Sequence, residues 1–406
     1  MRAGPLRTLA ALGLALVLSA CGRIIPAGSL PPPATVPVVT PTPVPTPPPT
    51  ALLAGVAAGP SIASLKLGAS DARGALGSFR ESCARLLTRS DSSGLTRNAD
   101  WKPSCDAAAK WPDAEAPKFF ASWFETVRVG DGKAFVTGYY EPEIAGVRTR
   151  QAGFDIPVYG LPSDLVRANP GDAPANANGT QPLGRYGADG KFVPYFDRGD
   201  IDDGALMGKG LEIAWAADPV ELFFLQVQGS GRLIAPDGSV MRIGYAGQNG
   251  LPYTGIGSVM RSRGLLGTGP GQYSGSMQGI MQYIREHPED GKALMRENKS
   301  YVFFREIGPD GPLGALGVPV RAGDSVAADP AFVPLGAPVW LALDRTEANG
   351  LWVAQDTGGA IKGSNRFDSF WGAGSQARVT AGGMSGRGEA LILLPKGTLK
   401  KLQQGQ

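Results

Sequence analysis

A glycine-rich stretch near the C-terminus, residues 355–372, reads QDTGGAIKGSNRFDSFWG and directly follows the apolar segment GLWVA at 350–354. The apolar segment predicts a β-strand, which would deliver Gln355 and Asp356 at its end, where a loop can present side chains. Further short apolar runs lie around it, separated by glycines and prolines: YVFFRE, GVPVRA, SVAADP, APVWLALD and ALILLP. This pattern predicts a small closed β-barrel with tight corners.

The tripeptide Asp356-Thr357-Gly358 is typical of an aspartic protease. That chemistry uses two carboxylates that share a proton, so a two-lobed protease needs a second Asp-Thr/Ser-Gly after an apolar strand. The sequence offers DSSG at 91–94, which follows a charged helix and therefore lacks that context. Because a homodimer could supply the second aspartate, the protease remains an alternative that depends on one short motif.

Upstream of the barrel, the sequence predicts helices first and then short strands. Two segments, 71–90 and 117–127, place apolar residues on one helical face: Leu76, Phe79, Cys83, Leu86 and Leu87 in the first, and Phe119, Phe120, Trp123, Phe124 and Val127 in the second. Between 131 and 260, β-like runs alternate with turn residues, among them AFVTGYYEPEI, FDIPVYGL, ELFFLQVQGSGRLI and VMRIGYAG. The predicted class is α+β, mainly β with helices.

The N-terminus predicts export and a lipid anchor. Arg2 and Arg7 precede an apolar run that ends in Leu-Ser-Ala-Cys, which resembles a bacterial lipoprotein signal over residues 1–20 with Cys21 as the lipidated residue. Gly22 follows instead of Asp, which by the same resemblance favours the outer membrane and a periplasmic location. Residues 21–59 are rich in proline and predict an extended tether between the anchor and the folded chain.

Composition excludes several classes of function. The net charge is only +3 and the sequence lacks a basic stripe, so nucleic acid is not an expected partner. The single histidine, His287, cannot form a metal cluster or a Ser-His-Asp triad, so we expect neither a metal nor an organic cofactor, and catalysis would depend on carboxylates. Cys83 and Cys105 are either a disulfide, as exported proteins favour, or two buried thiols.

The barrel region resembles the three-aspartate domain, named for three aspartates on one double-psi β-barrel. Here Asp329 lies in SVAADPAFVPLG, Asp356 in VAQDTGGAIKG and Asp368 in NRFDSFWG, within about residues 312–395. The upstream half resembles the partner domain of the membrane-bound lytic murein transglycosylase A family in the segments VTGYYEPEI, FDIPVYGLP, ELFFLQVQGSGRL, YAGQNGLPYTGIG and NKSYVFF. The resemblance implies a barrel domain from 60–140 plus 300–400, an inserted β-rich domain at 141–299, and a groove between them.

The family resemblance also implies an activity, which is non-hydrolytic cleavage of the β-1,4 bond between N-acetylmuramic acid and N-acetylglucosamine. Asp368 would act as the single general acid and then base, with Asp356 orienting and Asp329 fixing a barrel turn. Phe367, Phe370 and Trp371 could desolvate Asp368 and raise its pKa. A non-catalytic peptidoglycan-binding lipoprotein is the second alternative.

Residues in the matching upstream motifs are candidates for sugar binding, although each could equally serve the core or a turn: Tyr139, Tyr140, Gln226, Gln228, Tyr245, Asn249 and Tyr253. Lys362 and Arg366 are solvated charges by default, and Lys362 is retained as a candidate for substrate carboxylates. The expected partners are peptidoglycan glycan strands, the membrane through the anchor, and cell-wall-remodelling proteins.

Overall fold

The computed structural model describes residues 48–176, 179–308 and 310–404. The predicted signal peptide, Cys21 and the first part of the tether lie outside these described residues. No helix within them is long and apolar enough to cross a membrane.

The secondary structure combines many short strands with mostly short helices. The strands are β1 (Val56–Ala58), β2 (Phe124–Val129), β3 (Lys133–Glu141), β4 (Glu143–Val147), β5 (Ile156–Tyr159), β6 (Val166–Arg167), β7 (Leu183–Tyr186), β8 (Phe192–Val193), β9 (Glu212–Ala216), β10 (Ser230–Ile234), β11 (Val240–Gln248), β12 (Val302–Glu306), β13 (Ser325–Ala328), β14 (Pro338–Leu343), β15 (Gly350–Asp356), β16 (Arg366–Ala373) and β17 (Ser385–Pro395). The helices are α1 (Ala51–Ala54), α2 (Ala69–Leu86), α3 (Asn98–Ala108), α4 (Ala116–Trp123), α5 (Arg198–Asp202), α6 (Pro219–Gln228), α7 (Ile256–Ser262), α8 (Met277–Glu286), α9 (Pro288–Glu297), α10 (Gly374–Gly383) and α11 (Thr398–Gln404).

The first domain is a double-psi β-barrel built on an eight-stranded sheet in the order β1-β2-β17-β14-β15-β13-β16-β3, with an additional pairing of β17 with β3. Two parallel pairs, β13 with β15 and β16 with β3, interrupt the antiparallel arrangement. Strands from both ends of the chain therefore meet in one sheet, and the inserted residues leave the barrel after β3.

The inserted domain has a six-stranded sheet in the order β12-β11-β10-β4-β9-β5 and a small three-stranded sheet, β6-β7-β8. Strand β12 pairs with β11, so residues 302–306 belong to the insert and not, as the sequence boundary at 300 had it, to the barrel. At the other end, α1 and β1 lie within the predicted tether, and β1 pairs with β2 of the barrel. The folded part therefore begins before residue 60.

Helix α2 packs against the barrel through a core of aromatic rings. Phe79 is fully buried, and its ring centroid lies 5.3 Å from that of Phe124 and 5.8 Å from that of Phe119. The disulfide between Cys83 and Cys105 joins α2 to α3, with 5.6 Å between the Cα atoms. Of the two states that the sequence left open, the structure contains the bonded one.

Three sequence predictions of local structure are corrected. The run ELFFLQVQ is helix α6, not a strand: the Asp218 carboxylate accepts hydrogen bonds from Val220 N and Glu221 N, and Gly229 ends the helix at φ 83°. Its apolar residues are buried on several sides, which hides the helical period. Helix α4 ends at Trp123, so Phe124 and Val127 belong to strand β2. The GVPVRA run lies outside any of the assigned strands.

Removing the disulfide should destabilise the barrel domain. It closes a loop with a sequence separation of 22 residues, and loop-closure entropy gives a contribution of about 3 kcal/mol for a loop of this size. We expect a reductant to lower the denaturant midpoint, measured by circular dichroism, in the wild type but not in the Cys83→Ser/Cys105→Ser variant. An unchanged wild-type midpoint under reduction would contradict this role.

Candidate active site

The pairing of β16 with β3 places Asp368 next to Thr137, with which it forms a hydrogen bond. The parallel register sets Asp368 opposite Thr137, and the Thr137 hydroxyl donates a hydrogen bond of 2.6 Å to Asp368 Oδ1. On the other side of β16, Ala327 of β13 lies opposite Asp368, and the same alanine lies opposite Asp356 of β15. Both aspartates therefore flank one small residue on three adjacent strands.

Asp368 combines enclosure by protein with a partly open carboxyl group. Its neighbours Phe367 and Phe370 are buried, and the Phe370 ring centroid lies 5.0 Å from that of Tyr139. Burial raises the pKa of Asp368 from its usual 3.8 to about 6, and the Asp356 charge adds to the increase, whereas Thr137 and Arg366 oppose it. An increase is the direction expected for a carboxyl group that is taken out of water.

Asp356 occupies a different environment. Its Oδ1 accepts hydrogen bonds of 2.8 Å from two backbone N–H groups, those of Ala315 and Thr357. Burial raises the pKa of Asp356, but both of these donors and the Tyr139 hydroxyl oppose the increase because they stabilise the anion. One of the two backbone donors comes from its own glycine turn, and the other comes from a loop that is distant in sequence.

Tyr139 lies between the two carboxyl groups. Burial raises its pKa well above the usual value, and the charges of Asp356 and Asp368 raise it further. Its hydroxyl is buried next to Asp356 without forming a hydrogen bond of standard geometry. The phenol therefore stays protonated, and its buried hydroxyl group is placed to donate toward Asp356.

Arg366 is partly buried, in contrast to the default expectation of a solvated charge. Its Nη2 donates a hydrogen bond of 2.8 Å to Thr137 Oγ1, and its Nη1 donates to the Phe367 carbonyl. The guanidinium carbon lies 4.9 Å from the centroid of the Phe135 ring. Sequence reasoning missed Thr137, and the only signal for it was its position two residues before Tyr139 in the motif VTGYY.

Asp329 connects two loops of the barrel. Its Oδ1 accepts from Ala331 N at 3.1 Å and its Oδ2 accepts from Gly363 N at 2.8 Å. It is 8% exposed, and its hydrogen bonds tie the turn after β13 to the loop before β16. The role of Asp329 in fixing a barrel turn stays a prediction, to which these two hydrogen bonds add a structural basis.

The insert reaches the site through Tyr253. Burial and the negative charge of Asp368 raise the pKa of Tyr253, while the positive charges of Arg198 and Arg366 lower it, so the phenol lies within the field of the site. A Cβ added to Gly359 would be 3.3 Å from the Tyr253 Cβ. The glycine at this position therefore lets the insert approach the loop between the two aspartates.

Several predicted sugar-binding residues are instead structural. Gln226 is buried and accepts from Arg198 Nη1 at 2.6 Å. Asn249 is fully buried and bonds the carbonyls of Phe196 and Lys299 and the N–H of Tyr301. Both hold the base of the segment that carries Tyr253, which explains why they lie in the motifs without facing the groove.

Two further candidates serve the junction between the domains. Gln228 Oε1 accepts from the backbone N–H of Tyr140 at 2.9 Å, which attaches the end of α6 to β3, and the Tyr140 ring is buried. Of the remaining candidates, Tyr245 is 52% exposed on β11 and Lys362 is exposed in the glycine loop. These two remain available to a ligand.

A buried ion pair fixes the connection from the barrel to the insert. Glu141, the last residue of β3, is 1% exposed and accepts from Arg232 Nε at 2.9 Å and from Arg242 Nη2 at 2.8 Å. Arg378 of α10 also bonds Glu221 of α6 at 3.2 Å. Removing either Arg232 or Arg242 would leave the buried Glu141 charge less compensated, so this cluster stabilises the connection between β3 and the insert.

The lone histidine and the DSSG motif lie on other elements than the two aspartates. Within the described ranges, no group of three or more His, Cys, Asp or Glu residues could hold a metal ion. His287 lies exposed between α8 and α9. The carboxylate of Asp91, in the DSSG motif, is taken up by hydrogen bonds to Ser93 and Thr96 of its own loop, and therefore acts as a turn residue.

Comparisons with known proteins match both parts of the chain. The MltA specific insert domain family matches residues 135–305, and the 3D domain family matches residues 324–394. The membrane-bound lytic murein transglycosylase A of Vibrio cholerae is 30% identical over 262 residues, which is 62% of this chain and 62% of that protein. The matched region thus covers less than two thirds of that relative's length.

Solved structures extend the match. The crystal structure of membrane-bound lytic murein transglycosylase from Agrobacterium tumefaciens has a TM-score of 0.76 and 30% identity, covering 86% of this chain and 99% of that one. The structure of Escherichia coli MltA with bound chitohexaose has a TM-score of 0.55 and 26% identity, covering 79% and 90%. Since the insert and the three-aspartate barrel both match and a relative is covered over nearly its full length, this chain belongs to the membrane-bound lytic murein transglycosylase A family.

Proposed function

We propose that this protein is a lytic transglycosylase that cleaves the β-1,4 bond between N-acetylmuramic acid and N-acetylglucosamine in peptidoglycan and leaves 1,6-anhydro-muramyl ends. The observation that carries the proposal is the single carboxyl group of Asp368, whose pKa of about 6 lets it hold a proton near neutral pH. The names of the relatives and the chitohexaose bound in the Escherichia coli structure support a glycan substrate.

One carboxyl group can perform both halves of this reaction. In the first half, Asp368 gives its proton to the glycosidic oxygen as the bond from that oxygen to the muramyl C1 breaks, and N-acetylglucosamine leaves with a 4-hydroxyl group. In the second half, the muramyl C6 hydroxyl attacks C1 and its proton passes to the Asp368 carboxylate. The acid is thereby restored, and the intramolecular nucleophile has a high effective concentration.

The environment of Asp356 argues against hydrolysis. A hydrolysing glycosidase usually needs a second carboxylate as a nucleophile or to activate water. One oxygen of Asp356 is already engaged by two backbone N–H groups, and the group is enclosed near Tyr139. We therefore assign Asp356 an orienting role, in which its negative charge helps to keep the proton on Asp368.

The groove between barrel and insert is the proposed binding surface. Tyr253 from the insert is half-buried and close enough to Asp368 to feel its charge, whereas Tyr139 from the barrel is buried and would support the carboxylates from within the fold. Aromatic faces and hydroxyl groups of this kind suit a sugar, which is apolar on its ring faces and polar at its edges. Tyr245 and Lys362 would contact more distant parts of the strand, Lys362 through lactyl or peptide carboxylates.

The location proposed for this activity is the bacterial periplasm, with a lipid on Cys21 holding the protein to the outer membrane. The proline-rich segment after Cys21 would then give the folded domains reach into the wall. Cell-wall-remodelling proteins are the partners that we would seek in such a place.

Replacing Asp368 by Asn should abolish cleavage, since the amide cannot donate a catalytic proton. We expect wild-type protein to release anhydro-muramyl products from purified sacculi, detected by mass spectrometry, and Asp368→Asn to release at least about 10³-fold less. Asp356→Asn should retain a reduced rate.

The matched control for this experiment is Asp324→Asn. Asp324 is another partly buried aspartate, and its pKa is also raised to about 6, by burial and by the charges of Asp71 and Glu81, but it packs against Gly74 of α2 instead of the groove. This variant should keep wild-type activity. Products with reducing ends would indicate hydrolysis, and binding of sacculi without any product would indicate a non-catalytic binding protein.

The protonation of Asp368 should also be visible in stability. Because folding raises its pKa from 3.8 to about 6, the folded state favours the proton, and this contribution is complete below pH 4 and lost as the pH rises through 6. Asp368→Asn should therefore increase the free energy of unfolding by about 3 kcal/mol at pH 7.5, from about 1.4 kcal/mol for each pKa unit. Denaturant unfolding should show the two proteins converging near pH 4, and a difference independent of pH would refute the assignment.

A further inference from the structure

We propose that Arg366 is a positioning residue that acts through the Thr137 hydroxyl to fix which oxygen of Asp368 carries the catalytic proton. The inference rests on the proposed function of Asp368 as general acid and base. It assigns a task to two side chains that do not themselves touch the reacting bond.

Arg366, Thr137 and Asp368 are joined by two successive hydrogen bonds, which we call the relay. The donor and acceptor groups of these side chains fix the direction of each bond. A guanidinium has only donors, so the 2.8 Å contact from Arg366 Nη2 must be accepted by Thr137 Oγ1. The hydroxyl has one proton, which is then free to point to Asp368 Oδ1 at 2.6 Å. Oδ1 is therefore held as an acceptor.

The consequence concerns the other oxygen of Asp368. Since Oδ1 accepts from Thr137, a proton on the neutral carboxyl group belongs on Oδ2. Within the described part of the chain, Oδ2 makes no hydrogen bond to protein, and the carboxyl group keeps a partly open surface. Proton donation and its later recovery would thus take place at one defined atom.

Arg366 is itself firmly held. Its Nη1 donates to the Phe367 carbonyl, and its guanidinium carbon lies 4.9 Å from the centroid of the Phe135 ring. Arg387 lies 4.8 Å from the centroid of the same ring. A planar fork that uses both terminal nitrogens on neighbouring acceptors has a geometry that lysine cannot reproduce.

Titratable groups reach Asp368 from several elements. Arg366 is on its own strand, Tyr139 is on β3, Asp356 is at the end of β15, and Tyr253 comes from the insert. β13 places only Ala327 opposite Asp368. Of these groups, Arg366 is the cation that, together with the Thr137 hydroxyl, favours the ionised carboxylate.

The test compares the pH dependence of sacculus cleavage by the full-length wild-type protein with that of variants in the relay. Arg366→Met removes the hydrogen bond to Thr137 together with the one to the Phe367 carbonyl, and Thr137→Val removes the bonds to both Arg366 and Asp368, so we expect kcat to fall at least tenfold in each. The fall of kcat/KM on the alkaline side of the profile (the basic limb) should shift to higher pH by about 0.5 to 1 unit. The reason is that the ionised carboxylate of Asp368 loses stabilisation, which raises its pKa. Thr137→Ser keeps the hydroxyl and should restore both the rate and the limb.

The matched control is Arg387→Met, which removes the guanidinium that shares the Phe135 ring but does not bond Thr137. It should leave the basic limb unchanged. If Arg366→Met and Thr137→Val lose activity without moving the limb, or if Thr137→Ser behaves as Thr137→Val does, their role is structural packing and the proposal is overturned.

A second measurement separates this inference from the proposed function. Carbon-13 NMR of the labelled Asp368 carboxyl follows its titration without any turnover, and Arg366→Met should raise its pKa above that of the wild type. An unchanged titration overturns the relay even if the protein cleaves peptidoglycan. A protein with the expected titration but no cleavage of sacculi would overturn the proposed function while leaving the relay intact.

Discussion

The parallel pairing of β16 with β3 is the constraint on which the candidate site depends. It joins segments that are 231 residues apart in sequence, and its register sets Asp368 against Thr137. The inserted domain begins directly after β3, so the strand that orients the carboxyl group also leads into the other wall of the groove. The buried Glu141, bonded by Arg232 and Arg242, fixes that exit. Strand β3 therefore contributes both to the candidate site and to the junction between the two domains.

Two aspartates that flank the same alanine have different chemistry because they have different donors. Asp356 receives two backbone N–H groups, which favour its anion, whereas Asp368 receives one hydroxyl group and has its pKa raised by burial. The negative charge of the first then helps to keep the second protonated. This difference between the two carboxyl groups supports the proposal of a single acid and base, in contrast to the shared proton of an aspartic protease.

The sequence predicted much of this fold, and its failures have identifiable causes. The short apolar strands and glycine-rich turns indicated the barrel, and the three-aspartate pattern indicated its type. Helix α6 was missed because it is buried on several sides, which masks its period. For Gln226 and Asn249 the motifs leave sugar binding and a structural role equally open, and in the structure their amides satisfy buried backbone groups. The sequence does not predict the contribution of Thr137, because neither β3 nor β16 alone indicates which of its residues will lie opposite each other when the two strands pair.

The central claim is that Asp368 transfers protons to and from the glycan and that no water enters the bond. Digestion of sacculi by the wild-type protein in oxygen-18 water, followed by mass spectrometry, tests it most directly. The account predicts products that carry a 1,6-anhydro ring and contain no oxygen-18. Products that carry oxygen-18 at the newly formed muramyl C1 would mean that water is the nucleophile, and they would contradict the account.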